Sequence, residues 1–153
     1  MSPKRLFRTL AFAEAVTWTG LIMALILKYA AGFDGALFPA GAVHGFVFLG
    51  YAFTAVLVGV NQRWNVGRIA FAVLTAIVPY ATVPFEAWLV RKGHLEGGWR
   101  LEPGDHPADE NWVNRVLRWF LARPILLTVV AVVGIAAVFS ALLVIGPPGG
   151  RDA

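Results

Sequence analysis

LFRTLAFAEAVTWTGLIMALILKYAA, residues 6–31, is the stretch that decides the fold. It is long enough to be a membrane helix, because a span of the hydrocarbon core needs about 20 apolar residues. Yet it carries Glu14 inside and Lys28 near its end. Insertion scales charge roughly 2.5–3.5 kcal/mol for an aspartate at a helix centre, with comparable costs for other charges. If this is a membrane helix, something must offset the carboxylate or use it.

Composition says that it is. Apolar residues make up 58% of the 153-residue chain and charged residues 14%, against roughly 25% charged in ordinary globular proteins. A soluble domain this small needs a large polar surface. This one lacks it, so lipid is expected around most of the polypeptide. There is no cysteine, which excludes disulfides, thiolate nucleophiles and cysteine-based zinc sites. The net charge of +4 belongs at interfaces, against anionic headgroups. No basic run is long enough to track phosphates, so nucleic acid is not an expected partner. A cleaved signal peptide is not expected either. MSPKRLFR is a suitable basic start, but Glu14 interrupts the apolar run too early.

Three more apolar stretches follow. Residues 39–60 carry His44 as their only ionisable group, and the polar loop NQRWN closes them. Residues 69–90 contain Pro79, Pro84 and, near the end, Glu86. Residues 125–145 have no charge at all. The expected fold is therefore all-α: an integral membrane four-helix bundle. Its parts are a three-span core at 1–92, an extramembrane linker at 93–123, and a fourth span with a short polar tail at 124–153. The end of the linker, ADENWVNRVLRWFLAR, reads as an amphipathic helix before the last span. Trp112, Val113, Val116, Leu117 and Phe120 form one face, and Asn114, Arg115, Arg118 and Ala122 the other. Asp109 is the candidate N-cap. Such a helix fits the membrane interface, with Trp112, Arg115, Arg118 and Trp119 as its anchors. The competing reading is a helix packed on the protein's own bundle.

Four spans leave orientation open. With the N-terminus inside, six Lys and Arg lie inside and seven outside. A re-entrant third stretch would change the count to eleven against two, a strong bias under the positive-inside rule. Re-entrant backbone needs protein to cover it, and a bundle this small offers little. Four full spans are therefore the expectation.

Antiparallel spans bring Lys28, His44 and Glu86 toward one membrane face, as a candidate polar cluster. Glu14 lies elsewhere in depth and is the candidate titrating group. Tyr51, Thr54, Thr75 and Tyr80 are its possible hydroxyl partners. It is read either as neutral polar glue between helices, as a proton-carrying or ligand-facing group, or as a lipid-facing side chain. Lys28 near a helix end normally snorkels to the headgroups. Gly41 and Gly45 flank His44 in a GxxxG, which permits close helix approach, and Gly134, Ala137 and Ala141 form a small-residue face on the last span. Glu14, His44 and Glu86 are too dispersed for a metal site. One histidine within a span does not make a haem site. No catalytic motif is present, so no cofactor is expected and an enzyme is not.

LFRTLAFAEAVTWTGLIMALILKY, HGFVFLGYAF and PYATVPFEAW together resemble the bacterial, mostly actinobacterial, integral membrane family known as domain of unknown function 3817, over about residues 5–92. The resemblance implies a core of about three spans, with Glu14, Trp18, Lys28, His44, Gly45 and Glu86 at the family's signature positions. It implies no activity. The expected function is that of a small multi-pass protein of the bacterial inner membrane. It would be a non-enzymatic accessory or structural subunit that forms homo-oligomers or joins a larger complex. The alternative is a small oligomeric transporter or proton-linked channel that uses Glu14.

Overall fold

The computed structural model describes residues 1–146; the tail at 147–153, with Arg151, lies outside the described residues. Six α-helices follow in order: α1 (Pro3–Ala31), α2 (Leu37–Asn61), α3 (Val66–Thr75), α4 (Thr82–Arg91), α5 (Trp112–Leu121) and α6 (Pro124–Ile145). A 3-10 turn, Pro107–Glu110, precedes α5, and no strand occurs among the described residues. The all-α class is as expected. Three helices, α1, α2 and α6, are long and apolar enough to cross a membrane.

Local chemistry sets the ends of α1. The Ser2 hydroxyl accepts from the Arg5 amide, and Gly32 takes the left-handed conformation (φ 65°) that ends a helix without a Cβ penalty. The chain then turns and α2 returns antiparallel. Thr17 meets His44 at 3.1 Å, and the rings of Phe7 and Tyr51 lie 5.5 Å apart.

The third apolar stretch does not run the length of α1, which corrects the expectation of a third full span. It folds as a hairpin of two ten-residue helices, α3 and α4. Its contacts along α1 show the reversal. The tip sits at the middle of α1, where the Trp18 indole donates to the Ala76 carbonyl at 3.1 Å and the hydroxyls of Thr19 and Tyr80 lie 3.2 Å apart. From there the chain heads back toward the start of α1. The Thr82 hydroxyl donates to the Ala11 carbonyl at 2.9 Å, and Arg8 Nε donates to Glu86 at 2.8 Å.

Three features make the hairpin. Pro79 lies in the turn, where its missing N–H breaks the helical ladder. Tyr80 adopts a left-handed φ of 65°, which reverses the chain. Pro84 falls in the first turn of α4, where no intrahelical donor is needed. The turn supplies its own cover. The amides of Ala76, Ile77, Val78 and Ala81 each donate to the carbonyl three residues back, and Trp18 satisfies one carbonyl from outside. Little backbone polarity is left for other protein to hide.

The core lies between the first half of α1, the second half of α2 and the hairpin. Phe7, Ala11, Tyr51, Ala55, Val58, Trp64, Ala72, Ala76, Phe85, Leu89 and Leu95 fill it. Gly59 permits the tight α2–α3 corner, since a Cβ there would stand 2.6 Å from Ile69. Among the described helices α6 rests on α2 and α5, and none of its residues is buried.

Candidate functional site

Glu14 is wholly buried. It lies on the side of α1 that carries Ala11, which faces α2 and the hairpin, so it does not face lipid. Neither carboxylate oxygen has a hydrogen-bond partner among the described residues. Three of the expected hydroxyl partners are used elsewhere. Tyr51 pairs with Thr75 at 3.0 Å, and Tyr80 with Thr19. Its neighbour is instead His44, whose Nδ1 stands 3.8 Å from Glu14 Oε2. The Thr17 hydroxyl donates its one proton to the Glu14 backbone carbonyl at 3.0 Å, so His44 Nδ1 is the donor in the 3.1 Å contact with Thr17. The Trp18 ring covers the imidazole at 4.5 Å. Glu14, Thr17 and Trp18 face one way because i, i+3 and i+4 share a helix face.

The expected cluster of Lys28, His44 and Glu86 is not brought together. Lys28 pairs with Asp34 in the α1–α2 loop at 3.3 Å. His44 goes to Glu14, and Glu86 goes to Arg8 at the opposite end of α1. The cause is the hairpin. Depth matching assumed that the third stretch crosses fully, and it turns back halfway. Among the described residues no group of three His, Asp or Glu side chains could hold a metal.

A second polar centre was not legible in the sequence. The first part of the linker is held under the end of α2 by Arg100. Its guanidinium donates to the carbonyls of Val60 and Asn61, to the Asn114 side chain at 2.8 Å and to Asp109. It thereby caps the last carbonyls of α2 with a cation. Asn61 returns two bonds, to the Gly98 carbonyl at 3.1 Å and from the Arg100 amide at 2.9 Å. Asp109 also accepts from Arg63 at 2.6 Å and from the Gly104 amide at 2.8 Å. The Arg63 bond, then the Gly104 amide, hold its carboxyl well below the usual carboxylate range. Asp109 is thus the centre of a clamp and not the N-cap of α5; Asn111 is that cap, accepting from Val113. No periodicity links residues 61, 63, 100, 109 and 114, so no local signal announces them.

A ten-residue helix, α5, stands where the amphipathic helix was expected, but its buried and exposed residues are not the expected faces. Asn114 and Arg118, expected to point outward, reach the clamp. Leu117 and Leu121 are buried, while Trp112, Arg115, Val116 and Trp119 are exposed. Arg123 lies over the Trp119 ring at 4.4 Å. Of the expected helix-packing positions, Gly45 faces Phe139 of α6, which a Cβ would meet at 3.2 Å. Gly41 faces only Leu21, at 4.0 Å. Gly134, Ala137 and Ala141 are exposed.

Residues 4–91 match the family described as domain of unknown function DUF3817. A Streptomyces coelicolor protein named "Putative membrane protein SCO5905" is 38% identical over 95 residues, which cover 60% of this chain. The chain spans 11% of the length of that relative. No solved structure matches. The matched residues are those of α1, α2 and the hairpin, and they agree with the resemblance read over residues 5–92. With more than half of its length inside that match, this chain belongs to the DUF3817 family of membrane proteins, whose function is unknown.

Proposed function

We propose that this chain is a multi-pass protein of the bacterial plasma membrane and acts as a non-enzymatic accessory module of a larger membrane assembly. In this reading α1, α2 and α6 cross the bilayer. The α3–α4 hairpin enters from one side and returns. Each arm is about 15 Å long at 1.5 Å per residue, half of a hydrocarbon core of about 30 Å. The linker then lies on the same side as the start of α1. Eleven of the twelve described Lys and Arg residues stand on that side, and Lys28 alone on the other. The positive-inside rule makes the crowded side cytoplasmic. Helix α5 lies along that surface, with Trp112, Arg115 and Trp119 turned outward.

One observation carries the module reading. The unit that packs on itself, α1 to α4, coincides with the family match, and the 95 residues aligned with the Streptomyces coelicolor relative take up 11% of that protein. A self-contained unit, in a chain that aligns with a short part of a longer protein, suits a role beside other membrane segments. The partner is such a complex or a second copy of the chain. Purification in mild detergent followed by mass spectrometry tests this. A stoichiometric partner or a stable homo-oligomer is expected. A monodisperse monomer with nothing bound would overturn the proposal.

Glu14 supports a second reading, proton-linked transport. A buried polar group without a partner is rare and asks for an explanation, and His44 stands beside this one. Proton flux into vesicles holding the purified protein should disappear with Glu14→Gln. Flux that survives the substitution, or none in the parent protein, removes this reading.

A further inference from the structure

The hairpin leaves an open cleft of about 380 Å³ between its arms, lined by Arg68 and Phe71 of α3 and Phe85 and Trp88 of α4. Each pair is spaced i, i+3 and so shares a helix face. Phe71 meets Phe85 edge-on at 5.4 Å, and Phe85 stacks on Trp88 at 5.8 Å. The deep part of the cleft is thus aromatic. Its mouth is cationic. Arg68 stands in the first turn of α3, and the chain leaves α4 through Lys92 and His94 at the same level. The His94 ring lies 5.4 Å from Trp88. Burial first, then the charges of Arg68 and Lys92, hold His94 below the usual histidine range.

Neither Arg68 nor Lys92 has an ion pair among the described residues. Glu86 is bonded to Arg8, and Glu96 lies against Gly93. An apolar slot that opens at one end onto unpaired cations, at the depth of the headgroups, has the polarity of an anionic amphiphile. We propose that this cleft binds an anionic phospholipid, with an acyl chain against Phe71, Phe85 and Trp88 and the phosphate on Arg68 and Lys92. The proposal rests on the bilayer placement of the hairpin given above.

Competition between lipids tests it. The full chain is reconstituted in vesicles of phosphatidylcholine with brominated acyl chains, which quench nearby tryptophan fluorescence. Unbrominated phosphatidylglycerol is then introduced at rising mole fraction, with unbrominated phosphatidylcholine as control. The quenching that Trp88→Phe removes is the signal from the cleft. Phosphatidylglycerol should relieve it at lower mole fraction than phosphatidylcholine does. Each basic residue near a membrane surface contributes about 1 kcal/mol of attraction to anionic lipid, so Arg68→Gln and Lys92→Gln should each weaken the preference about fivefold. Lys92 is exposed, so its variant keeps the test available if Arg68→Gln fails to fold. Arg115→Gln, on α5, should leave the preference intact. Equal relief by both lipids would overturn the proposal, as would a loss with Arg115→Gln equal to that with Arg68→Gln, since a general surface charge would then suffice. Absence of any quenching would instead refute the bilayer placement.

Discussion

The chain has no cysteine, so a single introduced thiol reports membrane sidedness without background. Asp105→Cys, in the exposed linker, should be labelled from the cytoplasmic side, and Asp34→Cys, in the α1–α2 loop, from the other. The size of the preference follows from the hairpin. A continuous third helix would run through Pro79, at about 3 kcal/mol. It would also lose the bonds Trp18–Ala76, Thr19–Tyr80 and Thr82–Ala11, each worth roughly 0.6 kcal/mol in a membrane. Against this, the left-handed Tyr80 costs the hairpin about 1 kcal/mol. The net preference is about 4 kcal/mol, a minor population on the order of one in a thousand. A membrane-impermeant maleimide on intact cells should therefore label Asp34→Cys and leave Asp105→Cys essentially unlabelled. Inverted vesicles should show the reverse. Labelling of both positions from one side would mean that the third stretch crosses fully and does not turn back in the bilayer.

Three other outcomes are expected. Gly59→Ala would press a methyl group to within 2.6 Å of Ile69 and 3.1 Å of Trp64; overpacking of this kind costs about 1–3 kcal/mol. Thermal unfolding in detergent should show the loss, and adding Ile69→Ala should recover part of it. Asn61→Ala removes both bonds that hold the Gly98–Arg100 backbone, so the Arg100 amide should exchange with deuterium faster while amides inside α1 keep their protection. Asp109 has its pKa depressed in the folded chain, so its contribution is present above the unfolded carboxylate value and is lost as pH falls through the lower folded value. The Gly104 amide resonance, which reports the bond to Asp109, should stay unshifted through the ordinary carboxylate range and move only in stronger acid. A shift centred on the ordinary range would show that the Arg63 and Gly104 bonds do not perturb this group.

Parts of the candidate site were visible in the residues and parts were not. Glu14 stands out because a carboxylate within an apolar run is locally anomalous, and that anomaly survives in the fold as a fully buried side chain. Its neighbour did not stand out. His44 was placed near a membrane face by counting residues from the start of its span, whereas the packing of α1 on α2 sets it opposite Thr17. The polar and apolar spacing of residues 112–121 falls on a helix, α5. That spacing missed the role of Asn114 and Arg118, because a polar face reads the same whether water or a buried Asp109 receives it. Pro79 and Pro84 marked the third stretch as broken. Proline specifies where a helix stops, and it leaves the direction of the next helix undetermined.

From the residues alone come the helical class, a composition suited to lipid, the apolar stretches that become α1, α2 and α6, and the family resemblance. The first three depend on composition within about 20 consecutive residues, which settles whether lipid or water is the better solvent for that segment; the resemblance rests on motifs within residues 6–29, 44–53 and 79–88. Tertiary structure alone decided that the third stretch turns back, that Glu14 meets His44, and that Arg100 closes over the end of α2. These rest on contacts between residues far apart along the chain, such as Ala11 with Thr82 and Arg8 with Glu86, separated by 71 and 78 positions. No short window of sequence contains both members of such a pair, so their meeting is settled only when the helices pack.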